Sequence, residues 1–253
     1  MKKFFPIIAL ALVFFVAACS SSKKLDRSAV PAAGPAPKIQ IGQYQMATLP
    51  NGLKLVVVEN HKLPRVSYSV SLDIDPIFEG DRAGYTMLSG ELMKAGTKTR
   101  TKTQIDEAVD FMGASLSTSS TGVFGSCLVK HSKDILELMA DVVLNPTFPA
   151  EELEKSRKQQ LSNLVSEKTD PNAMSDKIGN VMKYGAGHPY GEVMSEATLK
   201  AITTDDLYSY HVNNYRPNVA YMVVVGDITF AEAQAQVTKY FGGWQARDVK
   251  PLK

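Results

Sequence analysis

The sequence predicts a domain that mixes strands and helices, and three observations carry that reading. Two hairpin signals stand out: Pro50-Asn51-Gly52 between runs 44–49 and 53–59, and Thr121-Gly122 between runs 114–120 and 123–130. Val66, Tyr68, Val70 and Leu72 alternate with Ser67, Ser69, Ser71 and Asp73, the period of a strand with one buried and one polar face. Ile135, Leu138, Met139 and Val142 share a stripe at helical period.

The chain begins with a targeting pattern. Lys2 and Lys3 precede an apolar run at 7–15, too short to span a bilayer as a mature helix. Val16-Ala17-Ala18 then leads into Cys19 and three serines, which looks like a bacterial lipoprotein signal. On that likeness residues 1–18 are removed, Cys19 carries the lipid, and the protein sits in the cell envelope, at the outer membrane facing the periplasm. A lipid anchor would hold it to the bilayer without a spanning helix. Residues 19–43, rich in Ser, Pro, Ala, Gly and Lys, read as a flexible tether. Residues 44–253 form the predicted domain. Without Lys2 and Lys3, the 28 basic and 26 acidic residues become 26 against 26, a near-neutral balance that does not point to nucleic acid as a partner. With Cys19 lipidated, Cys127 has no partner for a disulfide and reads as a small buried hydrophobe in the strand 123–129.

The remaining elements follow from local signals. A helix over 103–112 is expected with Thr103 as its cap, and one over 134–144 that stops before Pro146. Residues 150–167 form a long charged helix whose apolar positions, Leu153, Leu161, Leu164 and Val165, are sparse. Asp170-Pro171 ends it, and another helix spans 173–184. Thr203 caps a helix to about 213, a strand covers 219–225, and a last helix covers 230–241.

The stretch 84–97 reads Gly-Tyr-Thr-Met-Leu-Ser-Gly-Glu-Leu-Met-Lys-Ala-Gly-Thr. Met87, Leu88, Leu92 and Met93 recur at helical spacing, so it is expected to be a helix with a buried stripe, closed by Gly96. Here the chain resembles the insulinase/pitrilysin-like inverted zinc metallopeptidases, whose helix carries Gly-x-x-His-x-x-Glu-His and then Gly-Thr. Further matches are His188-Pro189-Tyr190-Gly191, Ile202-Thr203 before Asp206-Leu207, Tyr215-Arg216-Pro217-Asn218, and Gly226-Asp227 after a strand. The resemblance covers roughly residues 44–253. It implies an α+β domain, a mainly antiparallel sheet with helices on one face, built as one half of a clamshell.

The resemblance also shows what is replaced. Met87 stands where the first zinc-binding His would be, Gly90 where the catalytic Glu would be, and Glu91 where the second His would be. Two His at i and i+4 would lie one above the other, holding zinc with a third ligand and an open position for water. A thioether is a poor zinc ligand beside nitrogen and oxygen donors, and glycine cannot move a proton. The third ligand, a Glu on the long helix, falls near Ser162 or Asn163; Glu167 reaches it only in a shifted register.

No other catalytic pattern appears. His61, His131, His188 and His211 are scattered, with no pair at i and i+4, and His188 reads as a turn residue before proline. No Gly-x-Ser-x-Gly and no His-Glu-x-x-His occurs. The resemblance therefore implies a non-catalytic homologue with no cofactor and no catalytic or metal residue. It would pair with a second, active peptidase-family subunit or domain, or bind extended peptide by strand addition. The alternatives are an active zinc endopeptidase of the same family acting on peptide or protein substrate, and a structural envelope lipoprotein.

Overall fold

The computed structural model describes Gly34 and residues 43–249. The expected signal, Cys19 and nearly all of the tether lie outside the described residues. The elements in order are β1 (Gln45–Thr48), β2 (Lys54–Glu59), β3 (Arg65–Leu72), α1 (Tyr85–Leu92), α2 (Lys102–Met112), β4 (Ser115–Ser119) and β5 (Gly122–Leu128). Then come α3 (Ser132–Leu144), α4 (Ala150–Glu167), α5 (Pro171–Tyr184), α6 (Glu196–Ala201), α7 (Thr204–Asn214), β6 (Ala220–Gly226) and α8 (Phe230–Phe241).

These strands form one sheet in the order β1-β2-β6-β3-β5-β4. Every neighbouring pair is antiparallel except β2 and β6. Both expected hairpins form, and β6 then inserts between β2 and β3, a non-local pairing that local patterns do not encode. The fold is α+β, with a mainly antiparallel sheet.

Pleating sorts the sheet into two faces. Val66, Tyr68, Val70 and Leu72 of β3 are buried together with their partners Cys127 and Val123 of β5 and Val224, Met222 and Ala220 of β6. Helix α3 lies on this face: a β-carbon on Gly125 would run into the Met139 sulfur and come within 3.1 Å of Ile135 Cγ1. The Tyr68 hydroxyl meets Ser132 Oγ at 2.7 Å, and burial raises its pKa to about 12. Cys127 is buried as expected, and burial lifts its thiol to about 11, away from reactivity. The serines of β3 face the other way.

Helices α2, α3 and α5 begin one or two residues before the expected 103, 134 and 173, and one further helix forms. Thr101, not Thr103, caps α2 by accepting from the Gln104 backbone, and Gln104 closes the box by accepting from the Thr101 N–H. Helix α6, capped by Ser195, was not foreseen; its six residues are too few to show a period.

Two buried polar groups tie the helical layer together. Asp141 of α3 accepts from Thr97 Oγ1 and Thr99 Oγ1 at 2.6 Å each, Arg100 at 2.9 Å and Asn145 at 3.0 Å. Burial works against its charge, but these donors outweigh it and hold the carboxyl below its ordinary value. His211 of α7 donates Nε2–H to the Val143 carbonyl of α3 at 2.8 Å and stacks on Tyr215.

Burial depresses His211 to about 4, so the folded domain holds it neutral. Unfolded chains take the proton near 6.5, so this group's contribution is full above about pH 6.5 and is lost as pH falls toward 4. Urea unfolding across that window should lose about 3 kcal/mol of stability, a slope that His211→Gln removes.

Candidate functional site

Helix α1 sits where the family resemblance puts catalysis, and its surroundings fix what it can do. Gly84, at φ 107°, makes the left-handed turn into the helix. No side chain of Gly84 can cap it, so Glu79 does: its carboxylate accepts from the Gly84 N–H at 2.7 Å, the Thr86 N–H at 3.3 Å and Thr86 Oγ1 at 2.6 Å. Ser89 is fully buried and donates to the Leu207 carbonyl, binding α1 to α7. Tyr85 meets Tyr210 edge-on at 5.9 Å.

Leu88, Leu92 and Met93 form the expected buried stripe, but Met87 does not. Its residue is 37% exposed, on the side of α1 that turns away from the core. Core packing, expected for Met87, is therefore corrected: at i and i+4, Met87 and Glu91 share an outward face, the one a zinc-binding pair would use. Glu91 is exposed and accepts from Ser156 Oγ of α4 at 2.7 Å.

Gly90 is the residue whose role the sequence did not reveal. A β-carbon built there would lie 2.6 Å from the Ser119 carbonyl oxygen and closer still to the Ser119 carbonyl carbon and the Ser120 N. The turn between β4 and β5 thus rests directly on the helix backbone. Two side chains hold the turn: the Tyr215 hydroxyl donates to the Ser119 carbonyl at 2.7 Å and the Tyr210 hydroxyl to the Ser120 carbonyl at 2.9 Å. Burial raises both phenols, so they stay protonated donors. The position of a general base is filled by main chain. Only one signal could have marked it: a glycine inside a helix, where alanine would be favoured by about 1 kcal/mol.

The other candidates stay apart. Ser162 is exposed, and Asn163 is hydrogen-bonded along α4 to Gln159 and Gln160. Glu167, the shifted-register substitute, pairs with Lys177 of α5 at 2.5 Å. His188 accepts from the Tyr190 N–H and stacks on Tyr184, as a turn residue would. His61 pairs with Asp227 on the surface, and His131 with Asp134. Among the described residues, no three His, Cys, Asp or Glu side chains gather as a metal would need.

Comparison with known proteins decides the family. Residues 55–182 match the family model described as Insulinase (Peptidase family M16), and residues 201–253 the one described as Peptidase M16 inactive domain. The chain belongs to peptidase family M16. An uncharacterized zinc protease of Mycobacterium leprae is 28% identical over 205 residues, covering 77% of this chain and 45% of that protein. Subunit 1 of the bovine cytochrome b-c1 complex is 26% identical over 214 residues, covering 80% of this chain and 43% of that protein. The chain spans about half the length of the curated relatives it matches. A protease structure from Helicobacter pylori superposes with a TM-score of 0.75 at 22% identity, over 85% of this chain and 53% of that one. A structure from Pseudomonas fluorescens described as a peptidase M16 inactive domain gives 0.72 at 21%, over 83% and 54%.

The zinc that several M16 relatives' names imply does not fit this donor set. Met87 offers sulfur, Glu91 a single carboxylate already bonded to Ser156, and Asn163 a neutral amide bonded within its own helix. No step of hydrolysis can be routed through these residues.

Gly90 gives the sharpest test. Gly90→Ala should lower stability by about 2–3 kcal/mol or more in urea unfolding, because the added methyl meets main chain, which cannot swing aside. On α5, where a β-carbon at Gly179 meets nothing within 4 Å, Gly179→Ala should be neutral or stabilising by up to about 1 kcal/mol.

Proposed function

We propose that this chain is a non-catalytic M16 domain that acts by binding. It pairs with a peptidase-active subunit or domain of the same family and presents extended peptide along its sheet edge. It is held at the outer membrane, facing the periplasm, by lipid on Cys19. The observation that carries the reading is the closure of the base position by the β4–β5 turn on Gly90. A site that had merely lost its ligands could regain them by substitution; this one has no room for the base.

Peptide binding depends on different groups. Among the described residues strand β4 pairs with β5 alone, which leaves its outer backbone groups to pair with an added strand. The exposed side chains of β4 are Ser115, Ser117 and Ser119, small enough to admit many sequences. Two printed descriptions support the reading: one relative is named as a subunit of the cytochrome b-c1 complex, and one structure is described as an inactive domain.

The second reading, an active zinc endopeptidase, draws on the relatives named as zinc proteases. The two separate on one preparation. The purified mature chain, given zinc and unstructured peptides, should cleave none and should hold no stoichiometric zinc by elemental analysis. Chelator-sensitive cleavage that survives Glu91→Ala and Glu167→Ala would overturn the proposal and place the ligands elsewhere.

A further inference from the structure

Helix α5 carries an apolar stripe that no described residue covers. Met174, Ile178 and Met182 follow one another at i, i+4 and i+8, yet they are 46%, 56% and 82% exposed, and α5 has no buried residue at all. Val165 of α4, 66% exposed, and Tyr190, 54% exposed, add to the apolar surface of the same segment. Isolated exposed apolar residues need no explanation, but an amphipathic helix whose Ala173, Lys177 and Val181 are half-buried while its larger apolar stripe stays exposed does. Its geometry is also fixed in advance. Asp170 caps α5 by accepting from the Asn172 and Ala173 N–H groups, and the Glu167–Lys177 pair ties α5 to α4.

Charge and composition choose among occupants. Asp176, Lys177 and Lys183 on α5, with Glu167 opposite, leave the segment near neutral, unlike the basic polar face that draws helices to anionic lipid. Two methionines give an adaptable surface suited to protein. The curated relatives run to about twice the matched length, so in them a stretch of comparable size accompanies this domain. Helix α4 carries Ser156, bonded to Glu91 of α1, so the α4–α5 unit borders the degenerate site.

We propose that the exposed face of α4 and α5 is the docking surface for the motif-bearing M16 domain; this rests on the pairing proposed above. The test places the photoreactive amino acid benzoylphenylalanine at Ile178 of the full chain in its own cells. A second position, Phe111 of α2, 85% exposed, serves as the comparison. The expected result is an adduct from position 178, identified by mass spectrometry as an M16 chain with an intact His-x-x-Glu-His, and none from position 111. That M16 chain captured from 111 and not 178 would overturn the surface while leaving the pairing. No M16 chain from either position would overturn the pairing as well. An adduct from 178 to lipid, to a second copy or to an unrelated protein would also overturn the surface. Ile178→Asp with Met182→Asp should cut recovery of the partner by about tenfold or more. Its melting temperature should stay unchanged, because neither side chain is buried in the domain alone.

Discussion

A helix backbone in contact with a turn backbone, with no side chain between them, sets the character of this domain. At Gly90 the main chain of α1 meets the carbonyl of Ser119 and the N of Ser120. Tyr215 and Tyr210 donate to the Ser119 and Ser120 carbonyls of that same turn, so α1, the β4–β5 turn and the α7 region lock into one unit. Interiors of this density do not yield a cavity for a carboxylate without moving a strand. The loss of the base is thus built into the packing, whereas Met87 and Glu91 lie on an open face and could change without disturbing the core.

The same contact relates the site to the sheet edge. Strand β4 is terminal, and its hairpin turn is the part pressed onto α1. An edge strand clamped at one end keeps its register, and a fixed register is what an added peptide strand needs. The proposed peptide binding thus draws on edge backbone groups, which the residue types at 87, 90 and 91 do not alter. The Asp141 network plays a matching part at the far end of α1, where it fixes Thr97 and the loop that follows.

Much of the fold was legible because it is written locally. Asn51-Gly52 set one hairpin, the Val66–Leu72 alternation gave β3 its two faces, and Thr203 caps a helix where a cap is needed. The parallel pairing of β2 with β6 was not legible, since it joins strands more than 150 residues apart by a register that neither strand specifies alone. At the site, the residue types at 87, 90 and 91 declared the missing donors. The outward turn of Met87 did not follow from hydrophobicity, because a stripe of four apolar residues on a short helix is wider than the face it buries. The steric role of Gly90 depends on a turn some 30 residues later, which no window along the sequence joins to it.

The central claim is that α1 offers neither a metal site nor room for a base. Crystals of the mature chain soaked in zinc and measured at the zinc absorption edge test it most directly. The account predicts no anomalous density beside α1 and an unmoved Gly90–Ser119 contact. A tetrahedral zinc bridging residue 87 or 91 and α4 would contradict it.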